Sequence, residues 1–305
     1  MTSGTPSTAS SETPQLAIPQ AVSDFLHCQG WGAVVTTGPL SGGMHSRTLR
    51  VQCQAGPSMI LKRHVKATPP DGVYYREAEG LRVMVQPGGP RIPGVFAVGD
   101  DFILLEDLGE PKTDVSNLEW ERFGQAVAML HRCTNDRYGY HYSHEAASVD
   151  PDTRWTDDGV ELWLSERILC FLSWPLIEET LTAQDRRDVE VYADVFRRLV
   201  PGDRPSLVHG DLWRANAMIM QSGESALFDP MASFGLRESD IAIAKQGRGI
   251  PDRFFDAYDE AYPLPEGWRG RLELYYLHIA IAMIAFVGSQ PRYVEMLREL
   301  LHKFT

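Results

Sequence analysis

Ser206-Leu-Val-His-Gly-Asp-Leu-Trp-Arg-Ala-Asn-Ala-Met-Ile-Met220, followed shortly by Ala226-Leu-Phe-Asp-Pro230, is the stretch that decides the reading. His209, Gly210, Asp211 and Leu212 stand together, three residues intervene, and Asn216 follows. This spacing sets a carboxylate and a neutral oxygen donor one loop turn apart. Asn216 to Met220 and Ala226 to Phe228 read as short apolar strands joined by the turn Gln221-Ser-Gly-Glu224, a hairpin that carries a second carboxylate, Asp229, back beside Asn216. A plain turn with Asp229 as a strand-end cap explains each piece alone but not their coincidence.

The pattern H-x-D-L-x-x-x-N is that of a kinase catalytic loop. There the Asp accepts a hydroxyl proton, the Asn holds Mg²⁺, and a later Asp holds the metal against the phosphates. Asp211 is thus the candidate catalytic residue, and Asn216 and Asp229 are candidate metal ligands. The remaining parts of a phosphoryl-transfer site are found upstream. Lys62 ends an apolar strand, and Glu77, with Glu79 as the alternative, is the acid of the next helix that would pair with it over the phosphates. Leu40 to Ser46 holds Gly42 and Gly43, where backbone N–H groups can come close to a phosphate. Leu104 to Leu108, with Glu106 and Leu108, lies where two lobes would join, so its backbone would meet an adenine.

Around these motifs the chain passes from strand-rich to helix-rich. Pro19 opens a helix over Gln20 to Cys28. Thr48 to Gln52 and Ser58 to Lys62 form a hairpin, and Val95 to Val98 and Phe102 to Leu105 form another. Glu77 to Val85 reads as the helix between them. Helical patterns then cover Leu118 to His131, Val160 to Leu172, Arg186 to Leu199, Arg269 to Val287 and Arg292 to Phe304. The expected fold is α+β: a tail over 1–17, a small β-rich lobe over 18–106 that binds nucleotide, and a larger helical lobe over 107–305 with the catalytic loop and acceptor site.

Composition sets the class. The 305 residues are 43% hydrophobic and 23% charged, an ordinary globular balance. A net charge of −12 argues against a general basic surface for nucleic acid or an anionic bilayer. Residues 1–105 carry 8 basic against 7 acidic side chains, and the rest carry 21 against 34, so a cationic ligand would favour the later part. Cys28, Cys53, Cys133 and Cys170 have no metal or disulfide spacing, which points to a reducing compartment, the cytoplasm. The start, rich in Ser and Thr, is neither a secretory signal nor a good transit peptide. The apolar run Leu274 to Gly288 contains His278 and reads as a buried core helix.

Val208 to Asn216, Ala226 to Pro230, Ser233 to Lys245, the helix from Arg76 and the stretch Ala126 to Arg132 resemble the aminoglycoside phosphotransferase and fructosamine kinase superfamily. Arg154 to Leu169 and Phe254 to Leu264 are similar to fructosamine kinases in particular. The resemblance implies a two-lobed protein-kinase-like fold, ATP with Mg²⁺, and transfer to a hydroxyl of a small amine-bearing molecule. It also implies that Asp240, with His209, braces the catalytic loop; an N-cap for Ile241 to Ala244 is the other reading of Asp240. The chain departs from the fructosamine-kinase pattern at Arg214 and Ala215, where that pattern has Ser-Gly, and at Ala282 and Met283, where it has Asn-His. Loss of those polar groups argues against a sugar acceptor. The leading expectation is a kinase of a cationic antibiotic, an aminoglycoside or basic peptide, giving resistance. The alternatives are a ketosamine kinase acting in glycation repair and a non-catalytic pseudokinase. Trp213, Asp157, Asp158, Glu161 and Asp256 are the expected acceptor-binding residues.

Overall fold

The computed structural model describes residues 18–40, 46–64, 72–142 and 155–305. The expectations for the tail and for Gly42 and Gly43 lie outside the described residues. Strands β1 (Val34–Leu40), β2 (Ser46–Cys53), β3 (Met59–His64), β4 (Val95–Gly99) and β5 (Phe102–Glu106) form one sheet in the order β1-β2-β3-β5-β4, with every neighbouring pair antiparallel. Both expected hairpins are present. Strand β1 has no counterpart in the sequence reading, because Gly38 and Pro39 near its end resemble turn chemistry.

The sheet is covered on both faces, and period two sorts its side chains between them. Phe102 and Leu104 pack with Val51, Met59 and Leu61 against Val22 and Leu26 of α1 (Gln20–Cys28). Ile103 and Leu105 face the other way, into a core shared with Tyr74, Ala78 and Leu81 of α2 (Val73–Val83). Helix α2 starts four residues before the expected Glu77. Lys62 lies opposite Ile103 in the ladder, and directly paired residues share a face, so Lys62 is on the α2 side.

Helices dominate beyond β5: α3 (Asn117–His131), α4 (Gly159–Arg167), α5 (Pro175–Thr180) and α6 (Ala183–Leu199). Short strands β6 (Ser206–Val208), β7 (Ala217–Ile219), β8 (Ser225–Leu227) and β9 (Ser233–Gly235) follow. They form two antiparallel ladders, β6 with β9 and β7 with β8. The chain then runs through α7 (Arg237–Gln246), α8 (Asp252–Ala261), α9 (Trp268–Arg271), α10 (Leu277–Val287) and α11 (Pro291–Phe304). Two expected helices are interrupted. The Val160 to Leu172 pattern breaks at Ile168, where φ is −125, and Arg167 becomes the last residue of α4. The Arg269 to Val287 pattern passes through a 3₁₀ segment, Leu272–Tyr276.

Trp268–Val287 is a helical run of 20 residues, long and apolar enough to cross a membrane by length and composition alone. Within the fold its sides have other uses. Leu277, Ala280, Ile281, Ile284 and Ala285 are buried in the core, while His278, Ile279, Ala282, Met283 and Phe286 line a cavity. The lobes are also joined by backbone: the Arg91 N–H donates to the Ser225 carbonyl at 2.8 Å, and the Leu227 N–H to the Arg91 carbonyl at 2.9 Å. All four cysteines are unpaired.

Candidate active site

The catalytic loop leaves β6 into a tight turn that only glycine can make. Gly210 has φ +79, and a Cβ there would lie 2.3 Å from the Met231 carbonyl oxygen. The Met231 N–H donates to the His209 carbonyl at 2.8 Å, tying the loop to the segment after Asp229. His209 is fully buried. Its Nε2 meets the Phe228 carbonyl at 3.0 Å and its Nδ1 meets the Asp211 N–H at 3.2 Å, which assigns the Nε2–H tautomer.

Asp240 lies within the first turn of α7, whose N-cap residue is Leu236. Its carboxylate accepts the backbone N–H of His209 at 2.6 Å and of Gly210 at 2.9 Å. It therefore holds the loop by two charge-assisted bonds rather than capping the helix. Behind it, His131 donates from Nε2 to Asp240 at 3.2 Å and accepts the Tyr258 hydroxyl on Nδ1 at 2.8 Å. The Arg237 guanidinium donates to that hydroxyl at 3.3 Å. Burial works against the Asp240 charge, yet the His131 bond and the loop N–H groups hold its carboxyl below the ordinary range.

Asp211, Asn216, Asp229, Lys62 and Glu77 come together. The Lys62 ammonium donates to Glu77 and to Asp229, each at 2.7 Å. Burial opposes the Lys62 charge, but the two carboxylates more than offset it and raise its pKa. Glu77 moves up, chiefly through burial. Glu79 is turned elsewhere, to His141 at 2.6 Å. Asp229 has φ 58, a left-handed backbone rare for a non-glycine residue and concentrated at functional sites. The Asn216 amide nitrogen donates to the Asp211 carboxylate at 2.7 Å and to its carbonyl at 3.0 Å, which leaves the amide oxygen as the free donor atom. Burial raises the Asp211 carboxyl above the ordinary range, against the pull of His209, Arg167 and Asn216.

These groups open on a cavity of about 680 Å³ lined by Lys62, Glu77, Asp211, Trp213 and Asp229 together with the α10 residues already named. Trp213 is 42% exposed at its edge. Glu106 and Leu108 stand at the crossing between lobes, outside that lining. The Glu106 carboxylate is taken by Arg91 at 2.7 Å and by the Gly94 N–H at 2.9 Å, and its own N–H goes to the Gly94 carbonyl at 2.8 Å, so neither its side chain nor its N–H is open to a base.

The expected acidic acceptor residues are not brought to the cavity. Asp157 faces Arg137 at 3.3 Å, and Asp256 pairs with Arg269 at 2.6 Å. Glu161 is held by Arg197 at 3.1 Å. Asp158 caps α4 by accepting the Val160 and Glu161 N–H groups, both at 3.0 Å. Excess negative charge in sequence does not disclose which carboxylates already have an arginine. Two cavity residues were missed instead, Arg167 and His278. A guanidinium at a helix end and a histidine in an apolar run carry no motif.

A fructosamine kinase family model matches residues 26–304. A Staphylococcus aureus protein named "probable ketoamine kinase" is 31% identical over 83% of this chain and 88% of its own length. One of the same name from Thermus thermophilus is 31% identical over 82% and 88%. The solved structure of a "putative fructosamine-3-kinase" from Thermobifida fusca superposes with a TM-score of 0.79 at 27% identity, covering 94% of this chain and 100% of that one. The gentamicin complex of aminoglycoside phosphotransferase APH(2″)-IIa reaches 0.65 at 16% identity over 95% and 98%, a likeness of fold alone. The chain has the two-lobed kinase-like fold, which the aminoglycoside phosphotransferases share, and it belongs to the fructosamine kinase family and is an ATP-dependent small-molecule kinase.

Proposed function

We propose that the protein transfers the γ-phosphoryl group of ATP, with Mg²⁺, to a hydroxyl of a ketoamine, in the cytoplasm and in the service of glycation repair. The observation that carries the reading is the convergence of Lys62, Glu77, Asp211 and Asp229 on one cavity, with Asn216 bonded to Asp211 behind them, in a chain whose relatives are named ketoamine kinases. An antibiotic acceptor has weaker support, since its phosphotransferases share only the fold.

Lys62, held by Glu77, would bind the phosphate oxygens. The Asn216 amide oxygen and the Asp229 carboxylate, both oxygen donors, fit a Mg²⁺ that keeps water and phosphate as its other ligands. Bound there, the ion would neutralise charge on the transferring phosphoryl group. Asp211 would accept the proton of the attacking hydroxyl, its raised pKa making it a better base than an exposed carboxylate. The ketoamine nitrogen, protonated at neutral pH, suits a cavity that also carries the Glu166 carboxylate.

ADP release coupled to detection of phosphorus on the product, run against fructosyl-amines, aminoglycosides and basic peptide antibiotics, tests this. Fructosyl-amines should exceed the antibiotics in kcat/KM by at least about 100-fold, the discrimination expected of a site built around its own acceptor. The reverse order overturns the ketoamine reading.

A further inference from the structure

Arg167 is a charge of the cavity that the proposed chemistry does not use. It ends α4, lines the cavity together with Asp211 and His278, and among the described residues makes one side-chain hydrogen bond, Nη1 to the Met231 sulfur at 3.7 Å. A thioether is a weak acceptor, so the planar fork of guanidinium N–H donors has no carboxylate partner among the described residues. Lys62, by contrast, is neutralised twice over by Glu77 and Asp229. The Arg167 charge is felt by the Asp211 carboxyl and by the His278 imidazole, both of which it pulls down. It shares the cavity lining with Asp211 and with the α10 residues.

The same cavity has an apolar wall. Phe171, Ile279, Ala282, Met283 and Phe286 line the same cavity. His278 adds no cation there. Its Nδ1 meets the Tyr275 carbonyl at 3.3 Å, and burial with the nearby Arg167 charge lowers its pKa to about 3. A half-buried guanidinium with no ion-pair partner among the described residues, in a cavity whose α10 side is apolar apart from the neutral His278, suits a carboxylate that carries an apolar substituent.

We infer that the acceptor is the ketoamine of a free apolar amino acid, with Arg167 receiving its α-carboxylate and α10 its side chain. This rests on the ketoamine reading and narrows it. Amide-bonded lysines of a glycated protein lack the carboxylate that Arg167 would bind. The inference also gives Ala282 and Met283 a role: apolar residues there serve a side chain rather than a sugar.

The test uses N-(1-deoxyfructosyl)-leucine, its carboxamide and the glycine analogue as acceptors for the full-length enzyme. The leucine adduct should exceed its carboxamide in kcat/KM by about tenfold or more, the scale of a bidentate arginine–carboxylate contact. Arg167→Gln should bring that ratio to about one, and Arg167→Lys, which keeps charge but loses the fork, should leave it in between. The leucine adduct should exceed the glycine adduct by about tenfold or more, given several buried methylene groups. If Arg167 instead serves the phosphoryl group, Arg167→Gln lowers turnover of acid and carboxamide alike and the ratio survives, which overturns the inference. So does a wild-type ratio near one. Saturation-transfer NMR with N-acetylleucine and N-acetylleucinamide reads the carboxylate receptor without turnover. Stronger transfer to the acid, lost in Arg167→Gln, supports the receptor even if no ketoamine is phosphorylated, an outcome that would sink only the ketoamine reading. Equal transfer to both overturns the receptor.

Discussion

Asp211 and Asp240 are buried carboxylates with opposite relations to pH. The folded pKa of Asp211 is raised by burial. Its contribution to stability is therefore full below the unfolded value of about 3.9 and lost as pH rises through the folded one. Asp240 is the reverse. Despite its burial, the His131 bond and the loop N–H groups depress its pKa, so its contribution is present above about 3.9 and lost as pH falls through the lower folded value. Asp211→Asn should melt above wild type at pH 7 while kcat drops by about 10²–10⁴-fold, the worth of a positioned base. Asp240→Asn should melt below wild type at pH 7, because an amide nitrogen would confront the backbone N–H groups of His209 or Gly210. Melting curves from pH 3 to 7 check both, and the two differences from wild type should shrink toward the acid end. A lower melting temperature for Asp211→Asn at pH 7 would refute the first assignment.

Helices α3 and α8 approach so closely that one position admits no side chain. A Cβ on Gly124 would lie 2.2 Å from the Phe254 carbonyl oxygen and 3.0 Å from the Tyr258 nitrogen. Because the neighbours are backbone, α8 as a whole would have to move, and Tyr258 would move with it relative to His131. Gly124→Ala should cost about 1–3 kcal/mol of stability by overpacking. It should also lower kcat without a matching rise in the KM for ATP, which thermal melts and steady-state kinetics together resolve. Elements with strong periodicity were legible: α1 and both hairpins of the small lobe appear where the pattern put them. Strand β9 was not, since Ser233-Phe-Gly235 is too short to show alternation and exists through pairing with β6. The catalytic motif was legible because its residues are close in sequence. The acceptor wall was not, because α4 and α10 bring their residues together from more than a hundred positions apart, and no local pattern marks a guanidinium as unpaired.

Across the whole molecule the cleft is spanned from lobe to lobe by the Lys62–Asp229 bond at 2.7 Å. Asp229 is thus shared between a lysine and the cation it would hold. Asp229→Ala should abolish the extra thermal stabilisation that Mg²⁺ adds to ATP, while ATP alone still protects. Ligand at 100 times its Kd gives about 2.7 kcal/mol, enough for a melting experiment to separate the two. An unchanged Mg²⁺ effect would place the ion elsewhere. The backbone stitch between Arg91 and β8 has a different consequence, for the order of synthesis. Arg91 is translated long before its partners Ser225 and Leu227. At ~5–20 residues per second, that wait is on the order of ten seconds. During it the nascent small lobe carries an unfilled pair of hydrogen-bonding groups at one edge. A chain released early, before β7 and β8 emerge, keeps that edge open to other strands, so ribosomal stalling between these segments exposes the protein to aggregation in a way that stalling after Leu227 does not.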